Sequence, residues 1–245
     1  MNILKLHSSP NPRQQGGRRF SMRVLDLFSG LGGWSAAFKD RGHAVTTLDI
    51  EPKFKPDIVK DILEIKSIAE IGEFDIILAS PPCTAFSVAA FPQHYWKKEG
   101  EKYYSNSPNA RLGKKIAKHT FSLLESSTAT FYIIENPRGL MRKVIKMPEA
   151  TITYCQYGLN IMKPTDLWGK LPPSFQVKSC KNKDKCHQSA PRGAKTGLQG
   201  IDANAFKHDK FGYLVSGGGN NSKYRSLIPY GLSLAMCEAA ERDLP

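Results

Sequence analysis

The sequence predicts an α/β protein that is built on a doubly wound, mostly parallel sheet. Between positions 22 and 169, apolar segments of strand length alternate with amphipathic segments of helical length. A glycine-rich turn, SGLGG at 29–33, directly follows the first strand, as in α/β proteins that bind ligands at the ends of their strands. Residues 170–225 are rich in Lys, Gly, Asn and Ser and have few apolar runs. We therefore expect one sheet domain that carries a small irregular lobe.

Apolar and β-branched residues mark the expected strands along the chain. Strands are predicted at 22–28, 43–50, 56–62, 73–80, 130–136, 150–158 and 165–169.

Three segments have the pattern of helices. The first, 34–42, has apolar residues at helical spacing and is expected to end at Gly42. The second, 110–127, is amphipathic and precedes the fifth strand. The third, 228–243, is expected to carry Pro229 in its first turn. Its apolar face is formed by Leu232, Met236 and Ala239.

The composition indicates a negatively charged partner. The 245 residues include 35 Lys and Arg against 22 Asp and Glu, which gives a net charge of +13. Such a surplus favours nucleic acid, and a basic surface kept for solubility is the alternative. The chain shows no apolar run of membrane-spanning length and no secretory signal, and its five cysteines are an odd number. We therefore expect a protein without a membrane partner whose thiols stay reduced.

A cofactor site is expected at the carboxyl ends of the first strands. Gly30 and Gly32 let the backbone approach a ligand closely. Asp49 follows Gly30 by 19 positions, near the spacing at which a carboxylate receives ribose hydroxyls. Asp61 lies at the end of the third strand and is a candidate acceptor for an adenine amino group. The alternative is that Asp49 and Asp61 are solvated turn residues.

The same turn favours S-adenosylmethionine over a dinucleotide. A dinucleotide site places a third glycine three positions after Gly32, where this chain has Ser35. Asp26 lies just before the turn, and a carboxylate there suits the ammonium or sulfonium group of a cationic ligand.

Cys83 is the candidate nucleophile. It follows Pro81 and Pro82 at the end of the fourth strand, and the two prolines hold it on a stiff turn. Cysteine attacks as the thiolate, so the site must stabilise that form. Glu135 ends the fifth strand, which is expected beside the fourth, and is the candidate proton donor to a base nitrogen. The alternatives are a structural thiol and a strand-end carboxylate whose hydrogen bonds are satisfied.

Five motifs in this order resemble the DNA cytosine-5 methyltransferase family, in the compact form often met in bacteriophage. They are DLFSGLGGW, LDIEP, KDI, ILASPPCTAFS and ENPRG. The resemblance covers residues 22–169 well and the C-terminal helix loosely. It implies the class I S-adenosylmethionine-dependent methyltransferase fold, which is Rossmann-like. It also implies an enzyme of phage or restriction-modification systems, in the cytoplasm of a bacterial or phage-infected cell.

The resemblance assigns a role to each candidate residue. Cys83 would add to carbon 6 of a cytosine that is flipped out of the duplex, and Glu135 would hold and protonate nitrogen 3. Carbon 5 would then take the methyl group. The cofactor would be lined by Phe28, Gly30, Gly32, Asp49, Ile50 and Asp61, with Pro82 near its methyl end.

The chain departs from the family pattern at three places. Thr84 stands where the family has glutamine, and Ser80 precedes Pro81 where the family has glycine. A later Gln-x-Arg-x-Arg motif lacks its arginine pair here, and Lys163 and Thr165 occupy that place. Lys163 is therefore the candidate for the third contact with the base.

DNA contacts are expected on two segments. Residues 90–115 would form a loop that closes over the flipped cytosine, and an ordinary solvated loop is the alternative. Residues 180–200 lie where the family carries its target-recognition region. The expected contacts are Ser87, Lys97, Lys98, Arg111, Arg138, Arg192 and Lys195.

Cys180, Cys186 and His187 suggest half of a zinc site. Their spacing, C-x5-C-H, matches no strong pattern and shows no fourth ligand. They are named as candidate ligands, without a predicted metal.

The expected organisation has four segments. Residues 1–21 are a basic disordered tail or a vector remnant, 22–169 the catalytic domain, 170–225 the target-recognition lobe and 226–245 a helix that returns to the catalytic domain. We expect a monomer that acts on double-stranded DNA. Two alternatives stay open, an RNA cytosine-5 methyltransferase and a DNA-binding module that retains the fold without catalysis.

Overall fold

The computed structural model describes residues 21–87, 95–159, 162–181, 184–187 and 227–244, and the backbone of 14–15 and 18–19. Its strands are β1 (Gln14–Gln15), β2 (Arg18–Arg19), β3 (Arg23–Leu27), β4 (Ala44–Asp49), β5 (Ile58–Val59), β6 (Ile76–Ala79), β7 (Trp96–Glu99), β8 (Lys102–Ser105), β9 (Phe131–Pro137), β10 (Ala150–Thr153) and β11 (Pro164–Lys170). Its α-helices are α1 (Ala36–Asp40), α2 (Pro108–Glu125), α3 (Met141–Val144) and α4 (Tyr230–Asp243). Short 3-10 turns cover Pro52–Phe54, Ile62–Glu64, Ile68–Glu70 and Tyr154–Tyr157.

Seven strands form one sheet in the order β10-β11-β9-β6-β3-β4-β5. Neighbours from β9 to β5 pair in parallel, whereas β11 is antiparallel to both β9 and β10. β11 therefore runs against the other six strands. Two further pairs of strands, β1-β2 and β7-β8, are antiparallel and lie outside this sheet. The mostly parallel sheet confirms the predicted α/β fold.

The side chains of β3 alternate between two cores, one on each face of the sheet. Val24 packs in the core that contains Phe38 of α1 and Met236 of α4, whereas Leu25 packs with Phe121 of α2. Helices therefore cover both faces, and β3 is buried between them. This double burial explains why the adjacent positions Val24 and Leu25 are both apolar. Among the described residues, no helix combines the length and hydrophobicity needed to cross a bilayer.

The last helix packs where the sequence predicts. Its three apolar positions are fully buried: Leu232, Met236 and Ala239. Pro229 directly precedes the helix with φ −61° rather than lying in its first turn. Glu241 binds Arg41 just after α1, with 2.6 Å between Oε2 and Nη2, and its other oxygen lies 3.0 Å from Nε2 of His43. These contacts fasten α4 to the start of the sheet.

Two predicted strands are shorter than expected. The segment 56–62 contains only β5, because Asp61 leaves the strand and caps the next turn by accepting from the amide of Leu63 at 2.9 Å. The segment 150–158 contains only β10, which ends opposite Pro164. Proline has no amide proton to extend the ladder, so the chain continues as the 3-10 turn Tyr154–Tyr157.

The expected recognition lobe is described only in part. Phe175 is buried, and its ring stacks on Tyr157 with 6.3 Å between the centroids. Residues near 175 therefore pack on the sheet domain. Residues 182–183 and 188–226 lie outside the described part of the chain, as does most of the predicted tail 1–21.

Candidate active site

Three neighbouring strands bring the predicted site residues together at the carboxyl ends of the parallel strands. β3 leads into the glycine turn, β6 into the Pro-Pro-Cys turn that ends at Cys83, and β9 carries Glu135. β6 pairs with both β3 and β9, so the three segments are adjacent. Ligands bind at this edge in open α/β sheets.

Asp49 fixes the shape of the glycine turn. Its Oδ2 accepts from the amide of Gly30 and its Oδ1 from the amide of Glu51, both at 2.9 Å. Phe28, Gly30 and Gly32 all have left-handed φ angles, of 60°, 50° and 77°. A Cβ on Gly32 would meet no atom within 4 Å, so its backbone faces open space that a ligand can approach.

Asp26 lies beneath the turn rather than on its surface. The side chain is buried, and its Oδ2 accepts from Oγ of Ser35 at 2.6 Å. Burial raises the pKa of Asp26 to about 7, although the Ser35 hydrogen bond opposes the shift. Asp26 is therefore held by Ser35 in the protein interior, whereas the sequence suggested a carboxylate that faces a cationic ligand.

The other predicted cofactor residues lie around the turn. Ile50 is 57% exposed at the end of β4. Pro82 is exposed beside Cys83, whereas Pro81 is buried. A cleft of about 220 Å³ opens next to the turn. Its walls are Ser29, Gly30, Leu31, Gly32, Lys39, Thr47, Lys53, Phe54, Lys55 and Pro56, so it does not include Cys83.

Two hydrogen bonds and one close approach hold the turn that carries Cys83. Nδ2 of Asn136 donates to the carbonyl of Pro81, and the amide of Leu140 donates to the carbonyl of Phe86, both at 2.8 Å. A Cβ on Gly139 would lie 2.2 Å from the same Phe86 oxygen. The ENPRG motif therefore docks on the Cys83 turn through Asn136 and Gly139. The thiol itself is half-buried.

Glu135 is buried and receives two hydroxyl groups. Oγ of Ser80 donates to its Oε2 at 3.1 Å, and the hydroxyl of Tyr154 donates to its Oε1 at 2.7 Å. Ser80 precedes Cys83 by three residues, so the expected proximity of Glu135 to the Cys83 turn is present. The departure from glycine at position 80 thereby supplies a donor to Glu135.

Lys163 lies over the ring of Tyr154, the residue whose hydroxyl binds Glu135. Its Nζ lies 4.4 Å from the centroid of the Tyr154 ring. Burial and then the charge of Glu135 raise the pKa of Tyr154 well above its ordinary value, with a smaller contribution from Cys83. The phenol therefore stays protonated and acts as a donor.

The sequence analysis did not single out Tyr154. It lies in the segment 150–158, where it was one apolar residue of an expected strand. Its contact with Glu135 depends on how β10 and β11 pair, and no local pattern carries that information.

The predicted DNA contacts lie at the surface near the same edge. Lys97 and Lys98 are exposed on β7, although Lys97 forms an ion pair with Glu99 at 2.7 Å. Arg111 is exposed on the first turn of α2, Arg138 is exposed and Ser87 is half-buried. Arg192 and Lys195 lie outside the described residues.

The expected closing loop is described from residue 95 onwards. There it forms the β7-β8 hairpin, and Trp96 anchors it. The Trp96 indole is buried and donates to the carbonyl of Ala85 at 2.5 Å. Trp96 is therefore a packing residue that joins the hairpin to the Cys83 turn.

The candidate zinc ligands meet a fourth residue. Cys180, Cys186 and His187 converge with Cys155, which follows Tyr154 directly. Cys155 is buried and lies in the segment 150–158, where the sequence analysis treated it as part of a strand.

The chain is similar in sequence and structure to known methyltransferases. The family profile described as C-5 cytosine-specific DNA methylase matches residues 22–144, half of the chain. The Probable DNA (cytosine-5)-methyltransferase of Frog virus 3 is 29% identical over 171 residues, which cover 67% of this chain and 78% of that protein. The Type II methyltransferase M.Bsp6I of a Bacillus species is 24% identical over 94 residues, 34% of this chain and 30% of that protein. Among solved structures, the Entamoeba histolytica methyltransferase EhMeth has a TM-score of 0.44 and 18% identity, over 66% of this chain and 58% of that chain.

Proposed function

Because the chain belongs to the C-5 cytosine-specific DNA methylase family, we propose that it transfers a methyl group from S-adenosylmethionine to carbon 5 of cytosine in double-stranded DNA. The observation that carries the proposal is the hydrogen bond from Ser80 to Glu135, since it joins the Cys83 turn to a buried carboxyl group. A thiol and a proton donor on neighbouring strands are the two groups that this substitution requires.

The glycine turn fits the cofactor. The open space at Gly32 lets a ligand approach the backbone, and the exposed Ile50 offers an apolar surface to an adenine ring. Each Asp49 oxygen accepts one amide and keeps a lone pair for a ribose hydroxyl. Phe28 directly precedes this turn, and in the proposal Asp61 and Pro82 complete the cofactor site, as the family resemblance implies. When bound, S-adenosylmethionine supplies an electrophilic methyl group on its sulfonium.

The chemistry begins with attack by Cys83. The cytosine is flipped out of the duplex because carbon 6 is inaccessible in the stack. The Cys83 thiolate forms a bond to carbon 6, the electrons of the 5,6 double bond move into the ring, and Glu135 gives a proton to nitrogen 3. Carbon 5 takes the methyl group and then loses its own proton to solvent. The bond from sulfur to carbon 6 breaks, which restores the double bond and the thiolate, and nitrogen 3 returns its proton to Glu135.

The remaining residues orient these groups. Ser80 and Tyr154 hold both oxygens of Glu135, so that the carboxyl group keeps one direction. Lys163, beside the Tyr154 ring, is the candidate for the third contact with the base. Exposed Lys98, Arg111 and Arg138 supply positive charge for the DNA backbone. One copy of the chain acts on one duplex in this proposal.

Product analysis tests the proposal. The full chain is incubated with S-adenosylmethionine and duplex DNA of mixed sequence, and the DNA is digested to nucleosides for mass spectrometry. We expect 5-methyldeoxycytidine with the wild-type protein and none with Cys83→Ser. Methylation of an exocyclic amino group, or methylation of RNA and not of DNA in a parallel reaction, would contradict the proposal.

A further inference from the structure

Three cysteines and a histidine converge beside the 3-10 turn that follows β10. Sγ of Cys155 lies 3.2 Å from Sγ of Cys180 and 3.8 Å from Sγ of Cys186. Nδ1 of His187 lies 3.6 Å from Sγ of Cys180 and 3.3 Å from Sγ of Cys186. We propose that Cys155, Cys180, Cys186 and His187 form a structural zinc site.

The separations suit a tetrahedral ion. Zinc bonds of about 2.3 Å to sulfur and about 2.0 Å to nitrogen place two sulfurs roughly 3.8 Å apart, and a sulfur and a nitrogen roughly 3.5 Å apart. The Cys155–Cys186 and Cys180–His187 separations lie close to these values, at 3.8 and 3.6 Å, and the Cys186–His187 separation is shorter, at 3.3 Å. The Cys155–Cys180 pair, at 3.2 Å, needs to open by roughly 0.6 Å to reach the expected spacing.

The donor set also selects the metal. Three thiolates and one imidazole form a set that binds zinc in structural sites, and four protein ligands leave no position for a water molecule. The site therefore stabilises a fold and performs no hydrolysis. Hard cations such as magnesium prefer oxygen ligands, which this cluster does not offer.

The surrounding hydrogen bonds hold the cluster in place. The hydroxyl of Thr153 accepts from the amide of Cys180 at 3.0 Å and donates to its Sγ at 3.4 Å. A donor to the sulfur favours the thiolate that a metal needs. The amide of Thr153 donates to the carbonyl of Lys178, and the amide of Lys178 to the hydroxyl of Tyr157. The sheet domain thus binds the backbone at Lys178 and at the ligand Cys180.

A second group of ligand-type side chains in the described part of the chain does not fit a cation. His43, Cys237 and Glu241 have their candidate ligand atoms within 4.8 Å of one another. However, Arg41 donates to both Glu241 oxygens, at 2.8 and 2.6 Å. The guanidinium already neutralises the carboxylate, so only the Cys155 cluster carries a metal proposal.

The zinc site lies one residue from the catalytic machinery. Cys155 follows Tyr154, whose hydroxyl binds Glu135. A metal at Cys155 fixes the turn that carries this phenol, and it fastens Cys180, Cys186 and His187 to the same turn. The ion therefore supports the partner of Glu135 while making no contact with the substrate.

Metal analysis of the full chain tests the proposal. The protein is purified without an affinity metal, and its zinc content is measured by elemental analysis. We expect one zinc per chain in the wild type and in the control Cys83→Ser, which removes a thiol outside the cluster. Cys180→Ser and His187→Ala are expected to lower the zinc content roughly tenfold or more. His187→Cys is expected to retain zinc, because a thiolate replaces the imidazole.

If a variant does not fold, a cobalt titration of the wild-type protein tests the metal site instead. Cobalt bound by three thiolates and one imidazole absorbs visible light strongly, and added zinc removes the absorption. A folded wild type that binds neither zinc nor cobalt would overturn the proposal. So would a Cys155–Cys180 disulfide, found by peptide mass spectrometry after purification under reducing conditions.

Discussion

The hydroxyl of Tyr154 donates a 2.7 Å hydrogen bond to Oε1 of Glu135, across 19 positions of the chain. Ser80 donates to the other oxygen from the turn that carries Cys83. The proposed proton donor is therefore held between the turn of the nucleophile and an element at the edge of the sheet. Tyr154 is a positioning residue on this reading, because it acts on the base through Glu135.

Tyr154→Phe removes one of the two hydroxyls that orient Glu135. A lost hydrogen bond of this kind costs about 1.4 kcal/mol, so we expect kcat to fall about tenfold while KM for DNA changes little. The matched control is Tyr157→Phe, since its hydroxyl donates to the carbonyl of Gln176 and not to Glu135. Steady-state kinetics separate the two parameters. An equal fall of kcat in both variants would argue for a general loss of packing.

Gly139→Ala tests the docking of the ENPRG motif on the Cys83 turn. A Cβ there lies 2.2 Å from the carbonyl oxygen of Phe86, and a backbone oxygen has little room to move. We expect a loss of about 2 kcal/mol in the free energy of unfolding and a large loss of methyl transfer. Urea denaturation and the nucleoside assay measure the two effects.

The control for this substitution is Gly72→Ala, where the nearest heavy atom to the new Cβ is 3.5 Å away and the φ of +152° strains an alanine, so it also loses stability but far from the Cys83 turn. It is expected to keep methyl transfer. Full activity in Gly139→Ala would show that the turn does not depend on this contact.

Asp26→Asn tests the buried carboxyl group beneath the glycine turn. Burial raises the pKa of Asp26 to about 7 from its ordinary value of 3.8. The folded state therefore holds the proton more tightly than the unfolded chain, and ionisation costs stability as pH rises from about 4 to about 7. The variant cannot ionise, so it should gain stability relative to the wild type over that range. Urea denaturation at pH 5 and pH 8 measures the difference.

Asp57→Asn should respond with the opposite sign. Hydrogen bonds from the side chain and the backbone of Thr47 lower the pKa of Asp57, so its contribution is present above its ordinary pKa and is lost as pH falls. The variant should therefore lose stability relative to the wild type at pH 8 more than at acid pH. The same sign in both aspartates would contradict the assignment of burial as the cause at Asp26.

The sequence predicted those features that depend on local pattern and on parallel pairing. Apolar runs located β3, β6 and β9, and their adjacency brought the Cys83 turn close to Glu135. The burial of Asp26 was not predicted, because a carboxylate just before a glycine turn can point either towards a ligand or into the core. Only the packing of Ser35 against the strand decides between these directions.

Tyr154 and Cys155 escaped prediction for a different reason. Both follow β10, and the antiparallel pairing of β10 with β11 carries them to the sheet edge. Their partners are 19 and 25 positions away, at Glu135 and Cys180. No periodicity or motif within the segment 150–158 encodes such contacts. The C-x5-C-H spacing alone gave three of the four candidate metal ligands, Cys180, Cys186 and His187.

Covalent attack by Cys83 is tested by trapping the enzyme on DNA. The full chain is incubated with S-adenosylmethionine and duplex DNA that contains 5-fluorocytosine, where fluorine replaces the proton that must leave carbon 5. We expect a complex of protein and DNA that survives denaturation, carries the methyl group and is absent with Cys83→Ser. A wild-type enzyme that methylates ordinary DNA yet forms no such complex, or a complex that persists in Cys83→Ser, would contradict the mechanism.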